Sequence, residues 1–358
     1  MVFGTRPEAV KLGPVVAALR AAGEVPEIVC SGQHTDLLRG TPADDGLAPT
    51  ASLSLPGTNE PFAYSDQCFH AFRARWDRNG PTPELVIVQG DTATAHAAAL
   101  AAHRLDIPVA HVEAGIRSRD ACDPWPEETF RTAIDAASKW LFCATDRNLL
   151  NVVNEPDKYA FVKQPRFYVT GNTGIDALYA HTQPLEHPRK VQDRVLITLH
   201  RRESFGEPLR QTVHGILQAC QKYPQIEFVW PTHPNPEVQK ALPSDGACPA
   251  NLQLLPALGM VAFARMLAAS RAVLSDSGGV QEESAALGVP CVVARDRTDR
   301  PESVAVGLAK VAGRTAEGIL DGLGWALGFQ ARATPSDCFG DGHAAERIVS
   351  HLLNCQHS

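Results

Sequence analysis

Residues 84–105 read ELVIVQGDTATAHAAALAAHRL. The first part, ELVIVQGD, reads as a buried strand, and the part from Thr92 reads as a helix opened by a threonine cap. The same unit recurs along the chain. PVAHVEAG (108–115) reads as the next strand, followed by a helix from about Glu127, by KWLFCATD (139–146) and by RNLLNVVNE (147–155). Past residue 190 the alternation restarts with DRVLITLHR, LRQTVHGILQACQKY, IEFVWPTH, AFARMLAAS, RAVLSDSGG, QEESAALG and PCVVAR. Near-continuous apolar strands that alternate with helices predict an α/β protein whose parallel sheets are covered on both faces.

A chain of 358 residues exceeds what one hydrophobic core usually serves, which predicts two domains. The seam is expected at residues 165–190, where QPRFYVTGNT runs into HTQPLEHPRKVQD, rich in Pro and His. Two doubly wound domains with a cleft between them would place a ligand at the carboxyl ends of the strands, where loops meet helix N-termini. Only MVF precedes the Gly-Thr turn, so a few residues of a longer natural start are expected upstream.

Apolar residues make up 44% of the chain and charged residues 20%, an ordinary balance for a globular protein. The formal net charge of −7 argues against a nucleic-acid partner, which needs a basic face, although local arginines can still bind a small anion. Nine cysteines without a C-x-x-C pair, odd in number, point to a reducing cytoplasm rather than a disulfide framework. No apolar run approaches the roughly 18 residues of a membrane span, and no signal peptide is visible.

The strand ends carry the chemistry. In SDSGGVQEE (275–283) an apolar strand ends in Ser-Asp-Ser-Gly-Gly and a helix begins at once. Ser277, Gly278 and Gly279 let backbone N–H groups approach an anion, and Glu283 is placed to accept from a sugar hydroxyl pair such as a ribose. A tight turn without a ligand is the plain alternative. In GTRPEAVK (4–11), Pro7 opens a helix and Arg6 and Lys11 lie near one end, a geometry suited to pyrophosphate. A surface ion pair would use Arg6 as well. Asp91 ends a strand before a helix and could equally be a cap. His200, followed by Arg201 and Arg202, could donate a proton to a leaving phosphate, and His233 in PTHPNP is placed similarly. His111-x-Glu113 resembles the H-x-E of zinc deaminases, but the P-C-x-x-C partner is absent, as is H-E-x-x-H, so no metal is expected.

HVEAGIRSRDACDPWPEETFR (111–131) gathers acids and three arginines, which suits either proton chemistry or a cation. Taken with GTRPEAVK, SGQH, QGDT, VTGNTGID, HRRESFG, HPNP, SDSGGVQEE, RTDRPE and FGDG, in that order, the chain resembles the non-hydrolysing UDP-N-acetylglucosamine 2-epimerases from Gly4 to Arg347. The resemblance implies two Rossmann-like domains of the GT-B type, 1–168 and 169–342, the first completed by a C-terminal helix at 343–356, with the active site in the interdomain cleft. It implies a cytoplasmic homodimer without cofactor that interconverts UDP-GlcNAc and UDP-ManNAc. UDP would be eliminated across C1–C2 to leave 2-acetamidoglucal, then re-added with a proton delivered to the other face of C2. Carried over by position, Asp91, Glu113 and Glu127 are the acid/base carboxylates and His200 lies beside the leaving diphosphate. Arg6 and Lys11 serve the diphosphate or cleft, Ser277, Gly278 and Gly279 the phosphate cradle, and Glu283 the ribose. Arg117 and Arg131 line the sugar site, and Phe263 packs the uracil.

Three departures stand out. Phe130 occupies a position where the family usually has Asn, which puts sugar recognition at issue and predicts that Phe130→Asn is tolerated or raises activity. RTDRPE shortens one acid, Asp299, with a mild effect expected. Gly40, in QHTDLLRGTPADDG, stands where a second glutamine often serves an activating UDP-GlcNAc site, so loss of that regulation is expected. The rival readings are a hydrolysing epimerase that releases UDP and free N-acetylmannosamine, whose motif reads more like H-I-H-G-G-E, and a 2-epimerase for another UDP-sugar. A nucleotide-sugar-binding protein and a GT-B glycosyltransferase are the alternatives from other classes.

Overall fold

The structure is a computed structural model that describes residues 1–33, 47–58, 60–77, 82–159, 162–182, 191–243, 248–329 and 333–354. The chain divides into two compact units, Met1–Ala177 with Gly340–Ser358, and Leu178–Phe339. The first division therefore falls later than residue 168 and inside a helix. The last part of the expected seam (183–190) and nearly all of the activating-site stretch, Gly40 included, lie outside the described residues.

In the first unit, β1 (Val2–Phe3), β2 (Val29–Cys30) and β3 (Ala51–Ser52) form one parallel sheet, and β4 (Val86–Gln89), β5 (Val109–Ala114), β6 (Trp140–Cys143) and β7 (Arg166–Val169) form another. Because β1 lies beside β4, the strand sequence reads 3-2-1-4-5-6-7, with its reversal between β1 and β4. Helices α1 (Arg6–Ala21), α2 (Pro61–Asp77), α3 (Ala93–Arg104), α4 (Glu127–Ala137), α5 (Asp146–Val153) and α6 (Thr173–Thr182) alternate with these strands. The quoted stretch folds as read: β4 is buried throughout, and Thr92 Oγ1 accepts the Ala95 N–H at 3.0 Å to start α3. The small alanines of α3 are buried against the sheet and α2.

In the second unit, β8 (Gln192–Thr198), β9 (Glu227–Pro231), β10 (Leu252–Leu255), β11 (Ser270–Ser275), β12 (Cys291–Val293) and β13 (Ala309–Val311) make one parallel sheet, ordered 10-9-8-11-12-13. Renumbered within the unit this is 3-2-1-4-5-6, the doubly wound order of dinucleotide-binding folds, with its switch between β8 and β11. Its helices are α7 (Glu207–Lys222), α8 (Pro236–Ala241), α9 (Met260–Ala269), α10 (Gly278–Leu287), α11 (Pro301–Ala305) and α12 (Ala316–Leu327). The core is built on Val195, Ile197, Phe228 and Trp230 of β8 and β9, packed against Val213 and Ile216 of α7 and Leu323 of α12.

Helix α13 (Ala344–Asn354) belongs to the first unit. Ile348, Val349 and Leu352 pack with Leu12, Val15, Val16 and Leu19 of α1, and Asp176 Oδ1 accepts the Ala345 N–H at 2.8 Å at its start.

Candidate active site

In the first unit the residues of interest cluster at the switch between β1 and β4. Gly4 follows β1, and a Cβ there would lie 2.1 Å from Thr94 Oγ1 and 2.3 Å from Ser31 Oγ, so only glycine fits. The buried carboxylate of Glu8 accepts from Gly4 N, Thr5 N and Thr5 Oγ1 at 3.0, 2.7 and 2.8 Å, and from Thr92 Oγ1 at 2.7 Å. It thereby ties the loop after β1 to the loop after β4. Burial pushes its carboxyl up, against the pull of those four donors. Arg6 is the first residue of α1 and has no hydrogen-bond or ion-pair partner among the described residues, which leaves its guanidinium available beside a helix N-terminus.

Glu113 sits at the end of β5 with φ of 72°, a left-handed conformation rare for a side-chain-bearing residue, where the β5–β6 pairing slips between Val112 and Ala114. The slip re-aims its side chain toward Lys11 Nζ, 2.5 Å away, and the Gln89 amide donates to the same oxygen. Lys11, expected at the diphosphate, is therefore the partner of a carboxylate. Asp91 accepts from Arg131 Nε at 2.9 Å and from its Nη2, and Arg131 also meets Glu128 Oε2 at 3.4 Å. Glu127 opens α4, while Glu128 is turned inward to receive Ser118 N and Arg119 N, both at 3.0 Å.

The side chain of Arg117, expected to line the sugar site, is buried and donates to Asp135 Oδ2 at 2.7 Å and to Glu155 Oε2 at 3.0 Å, because a guanidinium taken from water needs carboxylate partners. Phe130, which stands where the family's Asn was expected, is 1% exposed, stacked on His96 at 4.6 Å and edge-on to Phe62 at 4.9 Å, on the apolar face of α4.

In the second unit the switch lies between β8 and β11. Asp276, wholly buried, accepts the N–H of His200 at 3.2 and 3.0 Å and that of Arg201 at 2.9 Å, which turns the chain at the end of β8. His200 Nδ1 lies 3.5 Å from Asp276 Oδ1, with a side chain 39% exposed, and its ring stacks on His233 at 5.9 Å. His233 Nδ1 accepts the Asn235 N–H at 3.2 Å. Helix α10 starts earlier than expected, at Gly278, so Gly278 and Gly279 form its first turn behind Ser277 at the cap position. Nothing lies within 4 Å of a Cβ added at Gly279, so packing does not demand glycine there. A Cβ at Gly278 would stand 3.4 Å from the Arg300 guanidinium, which donates to buried Glu282 and pairs with Asp299 at 3.1 Å. Glu283 and Phe263, in α10 and α9, are half-buried. Among the described residues no group of three His, Cys, Asp or Glu is arranged to hold a metal ion.

Sequence reading missed Glu8, Gln89, Asp276 and Arg300, and weighed His111 only as a metal ligand. Their side chains face inward, and each gains its meaning from a partner distant in sequence. For Asp276 a signal existed in its position at the end of β11, directly before the glycine cradle.

Residues 17–353 match the family described as UDP-N-acetylglucosamine 2-epimerase. The chain belongs to this family. The family's members are isomerases, and one relative named a UDP-N-acetylglucosamine 2-epimerase, from Neisseria meningitidis, is 35% identical over 379 residues, covering 98% of each chain. A crystal structure of the Neisseria meningitidis UDP-GlcNAc 2-epimerase bound to UDP-GlcNAc superposes with a TM-score of 0.89 at 32% identity, over 99% of this chain and 98% of that one. The Methanocaldococcus jannaschii enzyme in complex with UDP-GlcNAc and UDP superposes at 0.83 and 30%, covering 99% and 98%. The two Rossmann-like units and this likeness put the chain in the GT-B fold class of its epimerase relatives.

Proposed function

We propose that this family member is a non-hydrolysing UDP-N-acetylglucosamine 2-epimerase that interconverts UDP-GlcNAc and UDP-ManNAc. The observation that carries the reading is the pairing of Glu113 with Lys11 and Gln89 at the end of β5, beside the Asp91–Arg131 pair after β4. Such a set supplies carboxylates held in place by cations, which proton transfer at a weakly acidic carbon requires. The second unit supplies the complementary need. The N–H groups that open α10 and the His200 imidazole suit a diphosphate, whose negative charge grows as the C1–O bond breaks.

In the first unit a carboxylate removes the C2 proton while the C1–O bond to UDP breaks on the opposite face, leaving 2-acetamidoglucal and UDP. His200, Arg6 and the α10 N-terminus stabilise the departing diphosphate and retain it. Return of a proton to the other face of C2, with a diphosphate oxygen re-forming the bond to C1, completes the inversion. Asp91, Glu113 and Glu127 are the proton carriers in this scheme, Arg131 orients Asp91, and Glu283 and Phe263 hold the ribose and the uracil.

Proton NMR of the purified protein with UDP-GlcNAc in heavy water tests the reading. A UDP-ManNAc anomeric signal with deuterium at C2 is the expected result. Free ManNAc with UDP would replace it by the hydrolysing reaction, and no change would replace it by another UDP-sugar. With Phe130 packed into the core, no residue described here favours that last alternative.

A further inference from the structure

His111 and Asp135 lie beneath the candidate site, and neither has a part in the scheme above. His111 stands on β5, two residues before Glu113, with its side chain wholly buried. Its Nδ1 is 2.6 Å from Asp135 Oδ1 and its Nε2 is 2.8 Å from the Gly90 carbonyl oxygen. The other Asp135 oxygen accepts from Gly115 N at 3.2 Å and from Arg117 Nη1 at 2.7 Å. Burial pushes the Asp135 carboxyl up, but His111 and Arg117 outweigh it and hold the group below its ordinary value, so it is a carboxylate. Oxygen atoms therefore face both ring nitrogens, so the ring is gripped at both edges. Arg117 in turn faces two carboxylates, Asp135 and Glu155.

What this pair grips matters more than its own stability. Gly90, at φ of 70°, immediately precedes Asp91; Gly115, at φ of 80°, follows Glu113 by two residues. A Cβ on Gly115 would sit 2.2 Å from the Asn148 carbonyl oxygen, so that turn cannot relax outward. The buried His111–Asp135 pair thus holds a backbone polar group near each of two proposed proton carriers. Asp135 belongs to α4, the helix that also delivers Arg131 to Asp91.

We propose that His111, acting with Asp135, is a positioning residue for the epimerisation: by holding the Gly90 carbonyl and the Gly115 N–H it sets Asp91 and Glu113 relative to one another. This rests on the reading of those two residues as acid and base. A displacement of about 1 Å at a reacting group costs on the order of 10²-fold in rate, and the tethers act at that scale.

Two variants test it. His111→Phe keeps a ring and removes both ring nitrogens, whereas His111→Gln can place its amide nitrogen near the former Nε2 and keep the Gly90 tether. The expected result is a kcat for His111→Phe lower by about 10²-fold, with KM for UDP-GlcNAc and Kd for UDP within about threefold of wild type, and recovery of about tenfold in His111→Gln. A wild-type kcat in His111→Phe overturns the proposal. So does a loss that His111→Gln leaves unrestored, a parallel loss of UDP affinity, or failure of both variants to unfold cooperatively, since each marks a merely structural role. If the wild-type protein itself does not turn over UDP-GlcNAc, the parent reading is what fails. A crystal structure of His111→Phe then decides the positioning claim: a displaced Gly90–Asp91 peptide supports it, and an unmoved one overturns it.

Discussion

Glu113 combines a left-handed backbone, a slipped strand register and two donors on one carboxylate oxygen. Such conformations cost about 1–3 kcal/mol and persist where surrounding structure over-determines them. Glu113→Gln keeps the shape and removes the charge that Lys11 meets. Its expected effect is a turnover lower by at least about 10²-fold, with UDP affinity measured by calorimetry unchanged; near-normal turnover would remove Glu113 from the mechanism. Phe130 behaves oppositely. It was expected to tolerate Asn, but it is a buried ring between Phe62 and His96. His96, half-buried beside it and bonded to Ser65 Oγ at 2.8 Å, is lowered to about 4 by desolvation and is therefore neutral at pH 7. Phe130→Asn should destabilise the protein by about 3 kcal/mol, read as a lower urea midpoint, because it leaves a void and an amide without water. An unchanged midpoint would show that the site is wetter than the packing implies.

At the scale of elements, the decisive features are the loops that follow β1 and β4, and Glu8 joins them. Its carboxyl is raised above the ordinary 4.5 chiefly by burial. An acid raised in the fold contributes stability that is fully present below its unfolded pKa and is lost as pH rises through the folded one. Glu8→Gln retains an acceptor for Gly4 and Thr5 and can donate to Thr92. The stability of wild type relative to Glu8→Gln should therefore fall as pH is raised from about 4 through the elevated value, as measured by denaturant unfolding at several pH values. A difference that does not vary with pH would mean that Glu8 is not titrated on folding. The α10 N-terminus is the counterpart element. Gly279 has space for a side chain, so packing does not require glycine there, and in the proposed function the missing Cβ lets the backbone approach a ligand.

At the scale of the whole molecule, the proposed function assigns proton chemistry to the first unit and, Arg6 apart, anion binding to the second. Saturating UDP should slow hydrogen exchange at His200–Arg201 and at Gly278–Val280, and raise the unfolding free energy by about 2.7 kcal/mol at a hundredfold excess over Kd. Protection confined to the loops after β4 and β5 would reverse the assignment. The sequence alone determined the α/β class and the strand-end locations of Arg6, Asp91, Glu113, His200 and Ser277, because apolar periodicity and helix-start chemistry are local and written over a few residues. It also carried the family, through motifs in order along the chain. Only the tertiary structure decided which groups meet. Lys11 reaches Glu113 across 102 residues, and Asp176 reaches Ala345 across 169. Arg117 and Phe130 look alike in the sequence to residues that line a site, yet the folded chain turns both inward. A side chain's partner depends on strand order, register and helix rotation, which are settled by long-range packing and not by neighbours in sequence.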